Sequence, residues 1–262
     1  MAKTTTVQEL FDLKGRVAVV SGGSGLFGRQ IAEALAEAGA RTIMASRNLE
    51  KLREQADYFR QSGLEVEVLQ YDQASEASIR QLLTQVLDMA GRVDVLVNNS
   101  VLRTMKDWGD PAPCFAKSME VNATGLFLMT RLFGDRMAEQ GKGSIINVGS
   151  IQGVLGPDFT LYEGLDWGAP PDYFFHKGGL LQLTRYAASV LGPRGVRVNA
   201  ISPGGFYNNQ EACFVERYNA RTYLGRMANE TDMKGGIVFL ASDASAYVTG
   251  ANLAVDGGYT CK

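Results

Sequence analysis

Histidine is nearly missing from this chain: His176 is the only one in 262 residues. A histidine-built metal site is therefore excluded, no metal is expected, and any histidine-based triad would depend on that one residue. Cysteine is scarce as well. Cys114, Cys213 and Cys261 are odd in number and far apart, which points to free thiols in a reducing, cytoplasmic setting and not to a disulfide framework. No apolar run reaches the roughly 18 residues of a membrane span. The opening MAKTTTVQELFDLKG has no apolar core of a secretory signal, so residues 1–14 are expected to form a short surface arm. Net charge is −2, which leaves no basic field for gripping nucleic acid or an anionic membrane. What the chain does have is 45% hydrophobic residues, enough to fill the core of one large domain, 1–262.

Those residues come in a pattern. Short β-branched runs, RVAVVS (16–21), RTIMAS (41–46), EVEVLQYD (65–72), VDVLVNNS (93–100), SIINVGS (144–150), VRVNAIS (196–202) and GANLAVDGG (250–258), predict seven strands. Between them, helical periodicity is expected over 27–40, 48–63 with Asn48 as N-cap, 75–91 opened by Ser75, 114–141, 173–192 and 230–242. Strand and helix in alternation imply right-handed crossovers. The fold expected is a single-domain, Rossmann-type α/β protein: a doubly wound, parallel, seven-stranded sheet with helices on both faces. Ligands bind such sheets beyond the carboxyl ends of the strands, so function is to be read there.

The first such loop is SGGSGLFG (21–28). It follows a strand and opens a helix, the context in which a glycine pattern signals a nucleotide. A helix N-terminus offers free amides and a positive dipole end to a diphosphate, and side chains would block close approach. Gly23, Gly25 and Gly28 satisfy G-x-G-x-x-G, and Gly22, Ser24, Gly25, Leu26, Phe27 and Gly28 are the candidate cofactor residues. A tight turn without a ligand is the plain alternative. At the end of the second strand an acidic residue would favour NAD. Here Ser46 stands in that place and Arg47 follows; a guanidinium suits a 2′-phosphate, which favours NADP over NAD.

Only Tyr173, of ten tyrosines, has a lysine four residues on, Lys177. That spacing puts both on one helical face. A free phenol titrates near 10, and a neighbouring ammonium lowers that value. Such a tyrosine can take a proton from an alcohol or give one to a carbonyl. Ser150, at the end of the fifth strand, would hold the substrate oxygen where charge develops.

Taken in order, the S-G-G…G loop, NNS (98–100), Asn122 in MEVNATG, Ser150, the YFFHK run, SPGG (202–205) and VDGG resemble the short-chain dehydrogenase/reductase family over nearly the whole chain. LFDLKGRVAVVSGG further resembles the opening of gluconate 5-dehydrogenase-like members. The resemblance implies a catalytic tetrad of Asn122, Ser150, Tyr173 and Lys177. It also implies adenine contact by Asp72, a brace at Asn99, a nicotinamide border at Pro203 and Gly204, and a homotetramer. The chain departs from the pattern at Ser21 for threonine, at Leu26 for the middle glycine, and in lacking a threonine after Gly204, where Asn208 or Asn209 could substitute. His176 is expected on another helical face, as a packing residue and not a base.

Twenty-two residues separate Ser150 from Tyr173, where the family has about a dozen; a loop this long suits a functional lid. This enlarged loop, 151–172, offers Gln152, Asp158, Tyr162, Glu163, Asp166 and Trp167 to a sugar, the acids as hydroxyl acceptors. A subunit-contact role is the alternative. A basic group of Arg103, Lys106, Arg217 and Arg221, with Trp108, could pair with a carboxylate, and 205–230 is expected to act as a substrate lid. These residues point to a small polyhydroxy substrate: a sugar, sugar acid or relative, interconverted between secondary alcohol and ketone. Rival readings are a reductase of a ketoacyl thioester, steroid or xenobiotic ketone, a non-catalytic nucleotide sensor, and a methyltransferase. The joint presence of Ser150, Tyr173 and Lys177 counts against the last two.

Overall fold

A computed structural model of the chain describes residues 5–261. Its centre is a sheet of Val17–Ser21 (β1), Arg41–Ser46 (β2), Val66–Gln70 (β3), Val95–Asn98 (β4), Gly143–Val148 (β5), Val196–Pro203 (β6) and Asn252–Val255 (β7). The order is β3-β2-β1-β4-β5-β6-β7 and every pairing is parallel. Sequence order therefore reverses direction between β1 and β4, which opens a crevice above their ends.

Strand side chains alternate between faces, so each strand feeds two cores. Ala18 and Val20 of β1 join Met44, Val97 and Ile146 under Leu26–Glu37 (α2), Leu49–Gln61 (α3) and Lys234–Ala241 (α9). Val17 and Val19 join Ile43, Leu96, Ile145 and Val198 under Glu76–Ala90 (α4), Leu126–Glu139 (α6) and Pro171–Leu191 (α7). Phe133 is fully buried in the second core; its truncation to alanine would cost about 3–5 kcal/mol.

The doubly wound sheet is the architecture expected, with local corrections. The N-terminal arm is partly structured: Thr6 and Glu9 form a capping box at a short helix, Val7–Phe11 (α1), and Leu13 is buried. Residues 1–4 of that arm lie outside the described residues. The helix expected over 114–141 is Ala112–Met119 (α5) and α6 joined by a π-helical segment, Glu120–Gly125. Helix α7 starts two residues early, because Pro171 is tolerated in a first turn, where its missing N–H is not needed. The helix expected over 230–242 is only Lys234–Ala241. Asn229 and Asp232 side chains capture the Thr231 and Asn229 amides, competing with helix at its start. A further helix, Ala212–Asn219 (α8), lies within the expected lid.

Candidate active site

The glycine loop is shaped by two close approaches. Gly22 has φ +65°, and a side chain there would also meet the Ser100 backbone at 2.9 Å. A Cβ on Gly28 would lie 2.1 Å from the Gly22 carbonyl oxygen, so α2 can pack onto the loop only with glycine at that position. Gly25 caps α2 without a side-chain hydrogen bond, which leaves the first amides for a ligand. Ser21 keeps the hydroxyl that threonine would supply. Its Oγ accepts the Asn99 and Ser100 amides at 2.9 and 3.1 Å, while Asn99 Nδ2 donates to the Ser21 and Gly22 carbonyls at 3.2 and 3.1 Å.

These braces wall a cleft of about 1,030 Å3. Gly22, Ser24, Gly25, Leu26, Phe27, Ser46, Arg47, Asp72 and Asn99 line it, as the sequence reading grouped them. Leu26, in place of the middle glycine, is half exposed at its rim. Ser24 and Ser46 hydroxyls lie 3.3 Å apart, Arg47 is exposed, and Lys51 adds a second cation. Asp72 accepts the Ala74 amide at 3.0 Å. Phe27 meets Phe206 edge-on at 5.5 Å, closing one end of the loop. Tyr71, unmarked in the sequence, is buried and bonds Gln73 and Ser100. Burial pushes its phenol up to about 12, so it stays neutral. An uncapped helix start, a loop that only glycine at 22 and 28 lets fold back on itself and an exposed arginine at the end of β2 fit a dinucleotide phosphate.

Beside the cleft, α7 carries Tyr173 and Lys177 on one turn. Lys177 is buried, donates to the Val148 carbonyl at 2.6 Å, and holds Nζ 5.6 Å from the Tyr173 ring centroid. Ser150 follows β5 by two residues, caps the turn Ile151–Gly153 by accepting the Gln152 amide at 3.1 Å, and acts on the Tyr173 phenol. Arg103 reaches in from the loop after β4. Its guanidinium lies 4.7 Å from the Tyr173 ring centroid. Burial alone would raise the Tyr173 pKa; Lys177, Arg103 and Ser150 together outweigh it and bring it below the ordinary phenol value. Lys177 is lowered by burial first, partly restored by Tyr173, and lowered again by Arg103.

His176 is on the face of Tyr173, not another one: three residues on, its ring meets the tyrosine edge-on at 5.1 Å. It is a packing residue, as expected. Burial first, then Lys177 and Arg103, hold it neutral with a pKa near 3. Asn122 lies in the π-helical segment and grips the loop that carries Arg103. It accepts the Leu102 amide at 2.8 Å and donates to the Leu102 carbonyl at 2.6 Å and to Ser118 at 2.9 Å. Beneath the site, Asn98 donates to Thr130 and Asn147, and Asn147 donates to Thr184, a buried polar chain joining β4 and β5 to α6 and α7.

The basic and acidic groups offered for a substrate divide. Arg103 lies beside Tyr173, but Arg217 and Arg221 are not free. Arg217 donates to the Leu161 and Glu163 carbonyls, and Arg221 to Asp158 and Thr160. Asp158, expected to accept from a sugar hydroxyl, instead caps the turn Phe159–Tyr162 and pairs with Arg221. These groups tie the enlarged loop to α8, because a buried apolar patch of Ile151, Leu161, Phe214, Tyr218 and Met227 brings their backbones together. Lys106, Trp108, Tyr162, Glu163, Asp166 and Trp167 line a second cleft. Gln152 Nε2 reaches the Tyr162 hydroxyl at 3.3 Å. Pro203 is buried at the end of β6, and Gly204 lines a separate hollow with Tyr218 and Asp256, outside the dinucleotide cleft. Asn208 is exposed, its amide given to Gln210.

Comparison with known proteins places this geometry. Residues 24–260 match the family model described as enoyl-(acyl carrier protein) reductase. A galactitol 2-dehydrogenase (L-tagatose-forming) of Cereibacter sphaeroides is 32% identical, covering 96% of this chain and 97% of its own. A 3-oxoacyl-(acyl-carrier-protein) reductase of Aquifex aeolicus is 29% identical, covering 94% and 98%. The structure of a gluconate 5-dehydrogenase from Burkholderia cenocepacia, in complex with NADP and tartrate, superposes with a TM-score of 0.87 at 29% identity, over 98% of this chain and 100% of that one.

Proposed function

The chain belongs to the short-chain dehydrogenase/reductase family of NAD(P)-dependent oxidoreductases, and from that premise we propose that it interconverts a secondary alcohol and a ketone on a sugar, sugar acid or related polyhydroxy compound, with NADP preferred over NAD. The observation that carries the reading is Tyr173 with two cations beside it, Lys177 one turn away and the Arg103 guanidinium 4.7 Å from its ring centroid, its pKa brought below the ordinary phenol value. The dinucleotide, when bound, takes up or supplies the hydride. In oxidation the Tyr173 phenolate accepts the proton of the substrate hydroxyl. In reduction the neutral phenol returns it to the developing alkoxide. Ser150 holds the substrate oxygen in line with Tyr173. Lys177 and Arg103 make the phenolate easier to form than that of a free phenol.

Gly22, Ser24, Gly25, Leu26, Phe27 and Gly28 would hold the diphosphate, Ser46 and Arg47 the adenosine ribose with its 2′-phosphate, and Asp72 and Asn99 the walls around them. Arg103 also favours a substrate carrying a carboxylate, which it can bind as a fork. Residues 151–172 and 205–230 act together as the substrate loop and lid. The assembly we propose is a cytoplasmic homotetramer. Exposed apolar side chains on α6 and α7, Phe127, Phe175 and Tyr186, fit its contacts, and light scattering would give its mass.

The deciding experiment is a turnover screen with both dinucleotides on polyols, aldonates, an acetoacetyl thioester and a steroid ketone, repeated with Tyr173→Phe. Activity is expected on the polyhydroxy compounds, reduced at least about a hundredfold in the variant while cofactor still binds. Activity confined to the thioester or the steroid would overturn the substrate class. Unchanged turnover in Tyr173→Phe would overturn the mechanism.

A further inference from the structure

A second cleft, of about 920 Å3, opens beside the reacting centre and is lined by residues separate from those of the dinucleotide groove. Its walls are the turn after β4 and the enlarged loop before α7. Both tryptophans of the chain, Trp108 and Trp167, line it. Trp108 is 89% exposed, an unusual display for the largest apolar side chain. The turn presenting it is fixed: the Gly109 amide is held by Asp107 at 2.7 Å and the Asp107 amide by Asp110 at 3.2 Å. Trp167 is fixed from behind. Its indole N–H faces the Glu211 carboxylate at 3.3 Å, and its ring packs on Phe214 at 4.7 Å and on Tyr162 at 5.5 Å.

Two residues that line the cleft connect it to the catalytic groups. Tyr162 lines it and is joined through Gln152 to Ser150; Phe174 lines it and is the chain neighbour of Tyr173. Rigid aromatic walls with a few polar groups are the lining of a small-molecule site. Here the charged groups are Asp107, Glu163 and Asp166 against one cation, Lys106, so the lining is acidic on balance. Aromatic faces suit the C–H face of a sugar ring, and carboxylates accept its hydroxyls. The same carboxylates disfavour an anionic group, which is favoured instead at Arg103. We propose that this cleft is a subsite for an uncharged sugar ring attached beyond the carbon that is oxidised, so that the enzyme prefers a glycosyl-extended polyol or sugar acid to the free monosaccharide. This rests on the polyhydroxy reading of the reaction.

Because both tryptophans line the cleft, intrinsic tryptophan emission reports on it without turnover. The full chain, saturated with NADP, is titrated with cellobiose, lactose and lactobionate and, in parallel, with glucose and gluconate. A saturable emission change is expected with the glycosyl-extended probes and not with glucose or gluconate. Trp108→Ala, a change at an exposed site, is expected to weaken binding of the extended probes roughly threefold to tenfold, with Trp167 still reporting. The preference in kcat/KM for lactobionate over gluconate is expected to fall by a similar factor. Silence with every glycosyl-extended probe, an equal response to glucose or gluconate, or unchanged affinity in Trp108→Ala would overturn the subsite. Saturable binding of the extended probes without turnover on any sugar would keep the subsite and remove the proposed reaction. Turnover on sugar acids with silent emission would do the reverse.

Discussion

A phenol beside two cations is an uncommon economy of charge, and it sets the pH behaviour of Tyr173. Oxidation needs the phenolate, so kcat/KM for an alcohol should rise with pH and level off below the ordinary phenol value near 10. Arg103→Gln removes one of the cations that favour the phenolate. Its rising limb should therefore move to higher pH, while an unmoved limb would leave Arg103 without a role toward the phenol. His176 should contribute no limb near 6.5, where an ordinary histidine titrates, because it is neutral until about 3; His176→Phe should leave the profile in place. Arg47 belongs to this scale too. Arg47→Asp should weaken NADP binding roughly tenfold to a hundredfold, the worth of a charged hydrogen bond, and leave NAD closer to unchanged. Equal losses for both dinucleotides, measured by fluorescence titration, would sink the 2′-phosphate assignment.

Between residues and the whole lie the loops, and they were unevenly legible. Strands and α2 could be read because period and glycine punctuation are local properties: Gly22 needs its positive φ whatever lies around it, and Gly28 fails with any Cβ. Gly28→Ala should accordingly abolish dinucleotide binding and lower thermal stability, visible as loss of both NADP titration and melting temperature. The pairing of Tyr173 with Lys177 was legible for the same reason, since one helical turn fixes it. The fate of Arg217 and Arg221 was not. Their partners stand 54 to 63 residues away in the chain, and nothing in local composition says that α8 will meet the enlarged loop. Arg103 beside Tyr173, 70 positions apart, was visible only as a basic residue after a strand. Because Arg221 with Asp158 is part-exposed, breaking it should cost below about 1 kcal/mol of global stability. Its effect should be local: Arg221→Ala should speed proteolytic cleavage within 156–168 and raise KM, with melting nearly unmoved. Unchanged cleavage would mean that the apolar patch alone holds the loop.

At the scale of the molecule, the cofactor cleft draws on the ends of β1, β2 and β4 and the turn after β3, strands whose register is set by two cores on opposite faces. None of these groups converges unless the sheet is assembled, so a dinucleotide that binds there binds the native state alone. Its binding energy must then appear as resistance to unfolding of the whole chain. At a free concentration of about 100 times Kd this amounts to about 2.7 kcal/mol. For a chain of this size each kcal/mol moves the melting temperature by about 2–4 °C, so NADP should raise it by roughly 5–10 °C. NAD at the same concentration should raise it less, since Arg47 gains nothing from a ribose without phosphate. The order should invert or vanish in Arg47→Asp, whose own melting temperature without cofactor should stay near that of the parent because Arg47 is exposed. Equal shifts by the two dinucleotides in the parent chain, followed by differential scanning fluorimetry over a concentration series, would show that the groove does not discriminate. A preserved order in Arg47→Asp would show that some other residue reads the 2′-phosphate, with Lys51, the second cation lining the same groove, as the first to replace.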